Sequence, residues 1–249
     1  MPRTKPALGV MLLAALVMLS ACTRVVTVHT PGTEMPTGSM STADSETVWW
    51  SIVFRMRWDP EQTPDWYMDA LLADQICAPA LEDFGPQINL WRFHRRAADD
   101  VAGHQLNLLV YTDPLTAEAL FARIRATSTL QWLETDGRIV TVAKTRVERP
   151  ELPPVSHTSD AGWPPEIQAS WPWFIMGVSQ TWLSLIQQVT AREPFDDSSP
   201  GALLDYYQTV NEQVTVLWRD YGQHAYLHHL NALFGYQPLI IQETNLKRF

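Results

Sequence analysis

Cysteine is almost missing from this 249-residue chain: only Cys22 and Cys77 occur, too few for a disulfide scaffold. Cations are short as well, 18 Lys and Arg against 27 Asp and Glu, for a formal charge of -9. A nucleic-acid binder must neutralise many phosphates, so the charge balance argues against that class. Hydrophobic residues reach 46% and charged residues only 18%, a composition opposite to intrinsic disorder. No internal repeat is visible, and no G-X-Y period organises the 11 glycines and 18 prolines. The chain has the material for one large domain or two small ones.

A long apolar run is lacking too. The uncharged stretch Ala7 to Leu19 would be about 20 Å long as a helix, short of a ~30 Å bilayer core. Arg3 and Lys5 precede it and the small-residue segment Leu19-Ser20-Ala21-Cys22 follows, the layout of a secretory signal. Leu-Ser-Ala-Cys resembles the lipobox of bacterial lipoproteins. The resemblance implies cleavage before Cys22, acylation of that residue, and a soluble domain held at a bilayer by several acyl chains. Loss of Arg3 and Lys5 would take the formal charge from -9 to -11. Thr23, standing where that family has Asp for inner-membrane retention, implies the outer membrane, with the domain facing the periplasm. Residues 22–45, rich in Thr, Ser, Pro and Gly, read as a flexible tether with a reach of about 25–30 Å. Cys77 would then be the one remaining thiol, and its helical apolar setting predicts a buried, inert side chain.

Beyond the tether, period-2 alternation places Trp50, Ile52, Phe54, Met56 and Trp58 on one face of a first strand. A helical pattern runs from Asp65 to about Phe84, with Pro79 set to kink or split it. Strands at Ile88–Arg96 and His104–Tyr111 follow. Asp113-Pro114 then caps a helix carrying Leu120, Phe121, Ile124 and Leu133, and Asp136-Gly137 turns into a strand over Arg138–Val147. The order β-α-β-β-α-β over residues 46–149 is the ferredoxin-like arrangement, an α+β fold. Residues 150–249 complete the same domain. A Pro-rich connection, too long for an ordinary loop, is expected to pack across the sheet. Three helical patterns come after it, at about 171–192, from Ser199 to a C-terminal cap at Gly222, and over His224–Phe234.

The scarce cations fall in a pattern. Arg55 and Arg57, then Arg92, His94 and Arg96, then Lys144 and Arg146 occupy same-face positions on their strands. A positive concavity in so acidic a chain would take an anionic ligand, whereas ion pairs with Asp99, Asp100 and Glu148 would make it a solvated sheet rim. On the last helical pattern His224 and His228 stand four apart, a possible two-ligand metal edge. Ala225 replaces the Glu of a zinc-protease motif and no third ligand is suitably spaced, so neither metal nor cofactor is assigned. His228 and Asn231 instead suggest a polar network tying this helix to the sheet. Gly177-Val178-Ser179 lacks the second glycine of a nucleophile elbow. The Trp163, Trp171 and Trp173 rings read as core anchors or, if exposed, as a docking patch.

Trp91-Arg92-Phe93-His94-Arg95-Arg96, the acidic turn Asp99-Asp100, Gly103-His104, and His228-His229-Leu230-Asn231-Ala232-Leu233-Phe234-Gly235 occur in an order that resembles the C-terminal domain of lantibiotic and thiopeptide-type dehydratases. The chain departs from that family where Gln105-Leu106-Asn107-Leu108 replaces its strand arginines and Ala232 replaces its terminal Arg. The resemblance implies a peptide-binding cleft built from Arg92, His94, Arg96, His104, His228 and Asn231. Three functions remain open: a non-catalytic envelope binding module for a peptide or anionic ligand, a lyase or modifying enzyme, and an accessory subunit of an envelope complex.

Overall fold

The computed structural model describes residues 46–196 and 199–238, all within one compact unit. The signal, Cys22 and the tether lie outside the described residues.

Four strands, β1 (Val48–Met56), β2 (Leu90–Ala97), β3 (His104–Thr112) and β4 (Ile139–Val147), form one antiparallel sheet in the order β2-β3-β1-β4. The architecture is α+β. Alternation in β1 sends Ile52, Phe54 and Met56 into the core, with Trp50 packed at its edge. Trp58 lies past the strand, and its indole N–H donates to the Gln62 carbonyl at 2.9 Å. Helices α1 (Trp66–Leu72), α2 (Ala78–Phe84), α3 (Pro114–Arg125) and α4 (Ser128–Thr135) supply Leu71, Leu72, Leu81, Leu120, Ile124 and Leu133 to that core.

Local chemistry explains the joints. A π-helical turn, Ala73–Cys77, joins α1 to α2 just ahead of Pro79, which has no N–H to donate and would crowd the carbonyl four residues back. The Asp113 carboxylate accepts the Leu115 and Thr116 amides at 2.9 and 3.0 Å, capping α3. The helix expected to run through Leu133 breaks instead at Thr127, whose extended backbone (ψ 125°) starts α4.

Two long helical rods complete the unit. Helix α5 (Pro165–Arg192) contains Pro172 without breaking. The Gln168 carbonyl, which Pro172 cannot serve, accepts the Ser159 hydroxyl at 2.8 Å. Along the outer edge of β2, the Phe93 amide donates to Ser179 Oγ at 3.0 Å, so α5 covers an otherwise open strand edge.

The second rod corrects the expected helix end at Gly222. Helix α6 (Pro200–Leu217) continues as a π-helical stretch, Trp218–His228, and then as α7 (His229–Leu233), so two expected helices are one. Gly222 is buried in mid-rod, and a Cβ there would lie 2.9 Å from the Trp218 ring. Its smallness serves close packing. The rod ends at Gly235, which adopts φ +72° as the Tyr236 amide bonds back to the Asn231 carbonyl.

The Pro-rich connection lies against the sheet face opposite the main core. The Trp49 indole donates to the Val155 carbonyl at 2.8 Å, and Trp49, Leu90 and Leu109 pack with Val155 and Met176. His157 reaches the Val147 and Leu152 carbonyls with its two ring nitrogens.

Candidate functional site

Register fixes which side chains share that second face. Residues directly opposite on neighbouring antiparallel strands point the same way. Arg92 therefore lies in a row with Leu109, Ser51 and Thr145, and His94 with Asn107, Val53 and Ala143. Arg96 shares the next row with Gln105, Arg55 and Thr141. The row beyond Arg92 (Leu90, Tyr111, Trp49, Val147) is the part the connection covers. The rows of His94 and Arg96 stay accessible.

Three of the expected residues thus come together: Arg92, His94 and Arg96, joined by Arg55 from two strands away. Among the described residues Arg92 makes no ion pair or hydrogen bond, and its Nε is buried without a partner. Burial pushes its guanidinium down to about 10. His94 is held below the ordinary imidazole value, first by burial and then by the positive charges of Arg92 and Arg96. Arg96 is ion-paired with Asp100. That carboxylate also accepts the Ala102 and Gly103 amides, which together with Arg96 lowers its pKa. The surplus charge therefore centres on Arg92 and Arg55, with His94 beside them.

The other expected cations go elsewhere. Lys144 pairs across the sheet with Ile52, a core residue, so it leaves from the opposite face. There it forms an ion pair with Glu118 and sits 4.8 Å from the Trp50 ring. Arg146 pairs with Glu46 and Glu148. Arg57 lies beyond the end of β1, beside Gly137. The single basic stripe suggested by same-strand spacing is split between two faces, because a residue's own strand parity says nothing of its neighbour's register.

His104 is separate from this face as well. Fully buried under α1, it places Nε2 3.0 Å from Asp69 Oδ2 and meets the Trp66 ring edge-on at 5.0 Å. Arg95 joins it, donating to Asp69 Oδ2 at 3.1 Å and to the Trp66 carbonyl at 3.0 Å. Its guanidinium lies between the Trp66 and Trp182 rings, 5.0 and 4.7 Å from their centroids. Sequence reasoning missed Asp69 and Arg95. A lone Asp in the apolar helix Trp66-Tyr-Met-Asp-Ala-Leu-Leu was the available signal.

His228 and Asn231 do not reach the sheet residues. The exposed His228 ring stacks on His224 at 5.0 Å and touches His229 and Tyr236, all on its own rod or just past it. Among the described residues no three His, Cys, Asp or Glu side chains are grouped to hold a metal ion. Ser179 is buried, with its hydroxyl between Phe93 and Ile175. Cys77 is fully buried, and burial pushes its thiol far above the ordinary range. No helix among the described residues is long and apolar enough to cross a membrane.

What the arrangement can do chemically is bind. Two guanidinium groups without a counter-ion among the described residues, Arg92 and Arg55, with the His94 imidazole and the Asn107 and Gln105 amides in adjacent rows, offer charge and hydrogen bonds to a carboxylate or phosphate. Comparison with family models, with curated proteins and with solved structures returns no match to any of them.

Proposed function

We propose that the chain is an envelope lipoprotein, anchored through acylated Cys22, whose ferredoxin-like domain is a non-catalytic binding module for an anionic ligand such as an acidic peptide. The observation that carries this reading is Arg92: a partly buried guanidinium with no carboxylate partner among the described residues, in a chain of formal charge -9. Burying an unpaired cation is unfavourable, and a ligand anion offsets that cost on binding. The strand order β2-β3-β1-β4, with helices crossing between β1 and β2 and between β3 and β4, supports the ferredoxin-like assignment. The resemblance to the dehydratase domain adds the expectation of a peptide. The His104 and His228 positions of that resemblance lie apart from His94, which favours binding over acid–base chemistry.

The test is a histidine-ring NMR titration of the Cys22→Ser chain with inorganic phosphate and with a hexaglutamate peptide. His94 signals should shift saturably with one or both, and Arg92→Met should abolish the shift. An unmoved His94 at millimolar ligand refutes the site. Metabolic labelling with a radioactive fatty acid should mark the wild-type chain and spare Cys22→Ser, which tests the anchor independently.

A further inference from the structure

A second surface, remote in chemistry from the Arg92 face, lies between α5 and the second rod. It is an open groove of about 640 Å³. Trp173, Val178, Trp182, Trp218, Tyr226 and Leu227 line most of it. Large apolar side chains stand in water here: Trp173 is 63% exposed, and Phe174, Val178, Tyr226 and Leu227 are each close to half exposed. Such a patch normally marks an interaction site.

Two features of the walls identify the occupant. First, none of the side chains lining the groove is charged, and the Arg219 and Asp220 that follow Trp218 pair with each other. The other titratable groups on this part of the rod are His224, His228, His229 and tyrosines, and the three histidine rings contact one another outside the groove lining. Second, apart from four aromatic side chains the lining has little to offer a peptide backbone. The Thr181 hydroxyl is spent on the Gly177 carbonyl at 2.8 Å, and the main chain on both sides is helical. A protein partner needs about one hydrogen bond per 100–200 Å² of interface, whereas an acyl chain needs none. The polar atoms the lining does carry belong mostly to amphipathic rings. The indole N–H groups of Trp173, Trp182 and Trp218 and the Tyr226 hydroxyl have no partner among the described residues, the pattern of amphipathic rings that sit at a headgroup level.

The rod is shaped for this wall. Val214, Trp218, Gly222, Tyr226 and Leu230 recur every four residues. In a pure α-helix that row would creep about 40° around the axis at each step. The π-helical turns of Trp218–His228 hold more residues each and cancel the drift, keeping the row on one face. Gly222 lets the Trp218 and Tyr226 rings stack, 24° from parallel, across the space a side chain would fill.

We infer that this groove docks an acyl chain of a zwitterionic phospholipid, so that the domain lies against the bilayer surface. With no helix able to cross the membrane among the described residues, the contact is interfacial. The inference stands apart from the anion site and from the lipid on Cys22.

The test uses the full-length Cys22→Ser chain, flotation with phosphatidylcholine vesicles, and tryptophan quenching by the same lipid brominated along its acyl chains. The chain should co-float and be quenched. Val178→Asp and Leu227→Asp, each placing a charge at an exposed groove position, should weaken partition about tenfold or more with unchanged circular dichroism. Leu115→Asp, exposed on α3 and outside the groove, should change nothing. Failure of the Cys22→Ser chain to bind, or equal binding by Val178→Asp, overturns the inference. So does a requirement for anionic lipid, which would shift the contact to the Arg92 face. A dimer that Val178→Asp dissociates would make the occupant a second copy. Binding only after truncation at Pro238 would make it the chain's own C-terminal segment. Either result also overturns the inference.

Discussion

Removing the Asp69 carboxylate should be among the most damaging single changes in the domain. Asp69 and His104 are both 0% exposed, and Asp69 Oδ2 accepts from Arg95 at 3.1 Å and from His104 at 3.0 Å. Asp69→Ala leaves His104 Nε2 with no partner and Arg95 with one hydrogen bond, to the Trp66 carbonyl, plus two flanking rings. Breaking a buried pair by deleting one member typically costs about 3–5 kcal/mol. The Arg95 side chain is 28% exposed and can recover some hydration, which lowers the expectation to about 2–4 kcal/mol. Asp69→Asn can keep both donors on one amide oxygen, as Oδ2 does, but loses the charge and buries an unpartnered N–H at the Oδ1 position, and should cost about 1–2 kcal/mol. Urea unfolding of the Cys22→Ser chain, compared at constant m-value, measures both. A loss under about 1 kcal/mol for Asp69→Ala, or no difference between the two variants, would refute the view that this carboxylate anchors β2 and β3 to α1.

Ser159→Ala should destabilise the domain by about 1–2 kcal/mol, because the Gln168 carbonyl loses its hydroxyl donor beside Pro172; in a Pro172→Ala background, where the helical N–H returns, thermal unfolding should register a much smaller loss. Gly222→Ala should lower stability despite a helix-propensity gain of about 1 kcal/mol, since its Cβ would meet the Trp218 ring at 2.9 Å; a stabilised variant with unchanged tryptophan emission would show that the contact is not tight. Because the His94 pKa is lower folded than unfolded, its contribution to stability is complete above about pH 6.5, the ordinary imidazole value, and is lost as pH falls through the folded pKa. His94→Gln should therefore flatten the acid side of the stability profile, and bound phosphate should raise the His94 NMR titration midpoint. Cys77 should resist alkylation in the native Cys22→Ser chain and react only with unfolding, which mass spectrometry under increasing urea would follow.

Element identity was largely legible from the chain because it is written in local chemistry. Alternation marked β1, Asp113-Pro114 marked the start of α3, and Pro79 marked the interruption that appears as a π-helical turn. Local signals also misled where burial outranked them. Gly222 reads as a helix terminator by its conformational freedom, yet it is retained for the space it leaves beside Trp218.

The candidate site was half legible for a related reason. Alternation within β2 is sufficient to put Arg92, His94 and Arg96 on one face, so their grouping follows from the sequence. The strand order and register decided the rest. They bring Arg55 to that face, send Lys144 and Arg146 to the other, and bury His104 against an Asp69 that lies 35 residues earlier. Composition likewise determined that the chain has too few cations for a generic nucleic-acid binder, while only packing decided that Arg92 would be left without a carboxylate. The groove is the clearest division. The uncharged stretches are visible in the sequence, but whether such residues become core or surface depends on what packs over them, and between α5 and the last rod nothing in the described structure does.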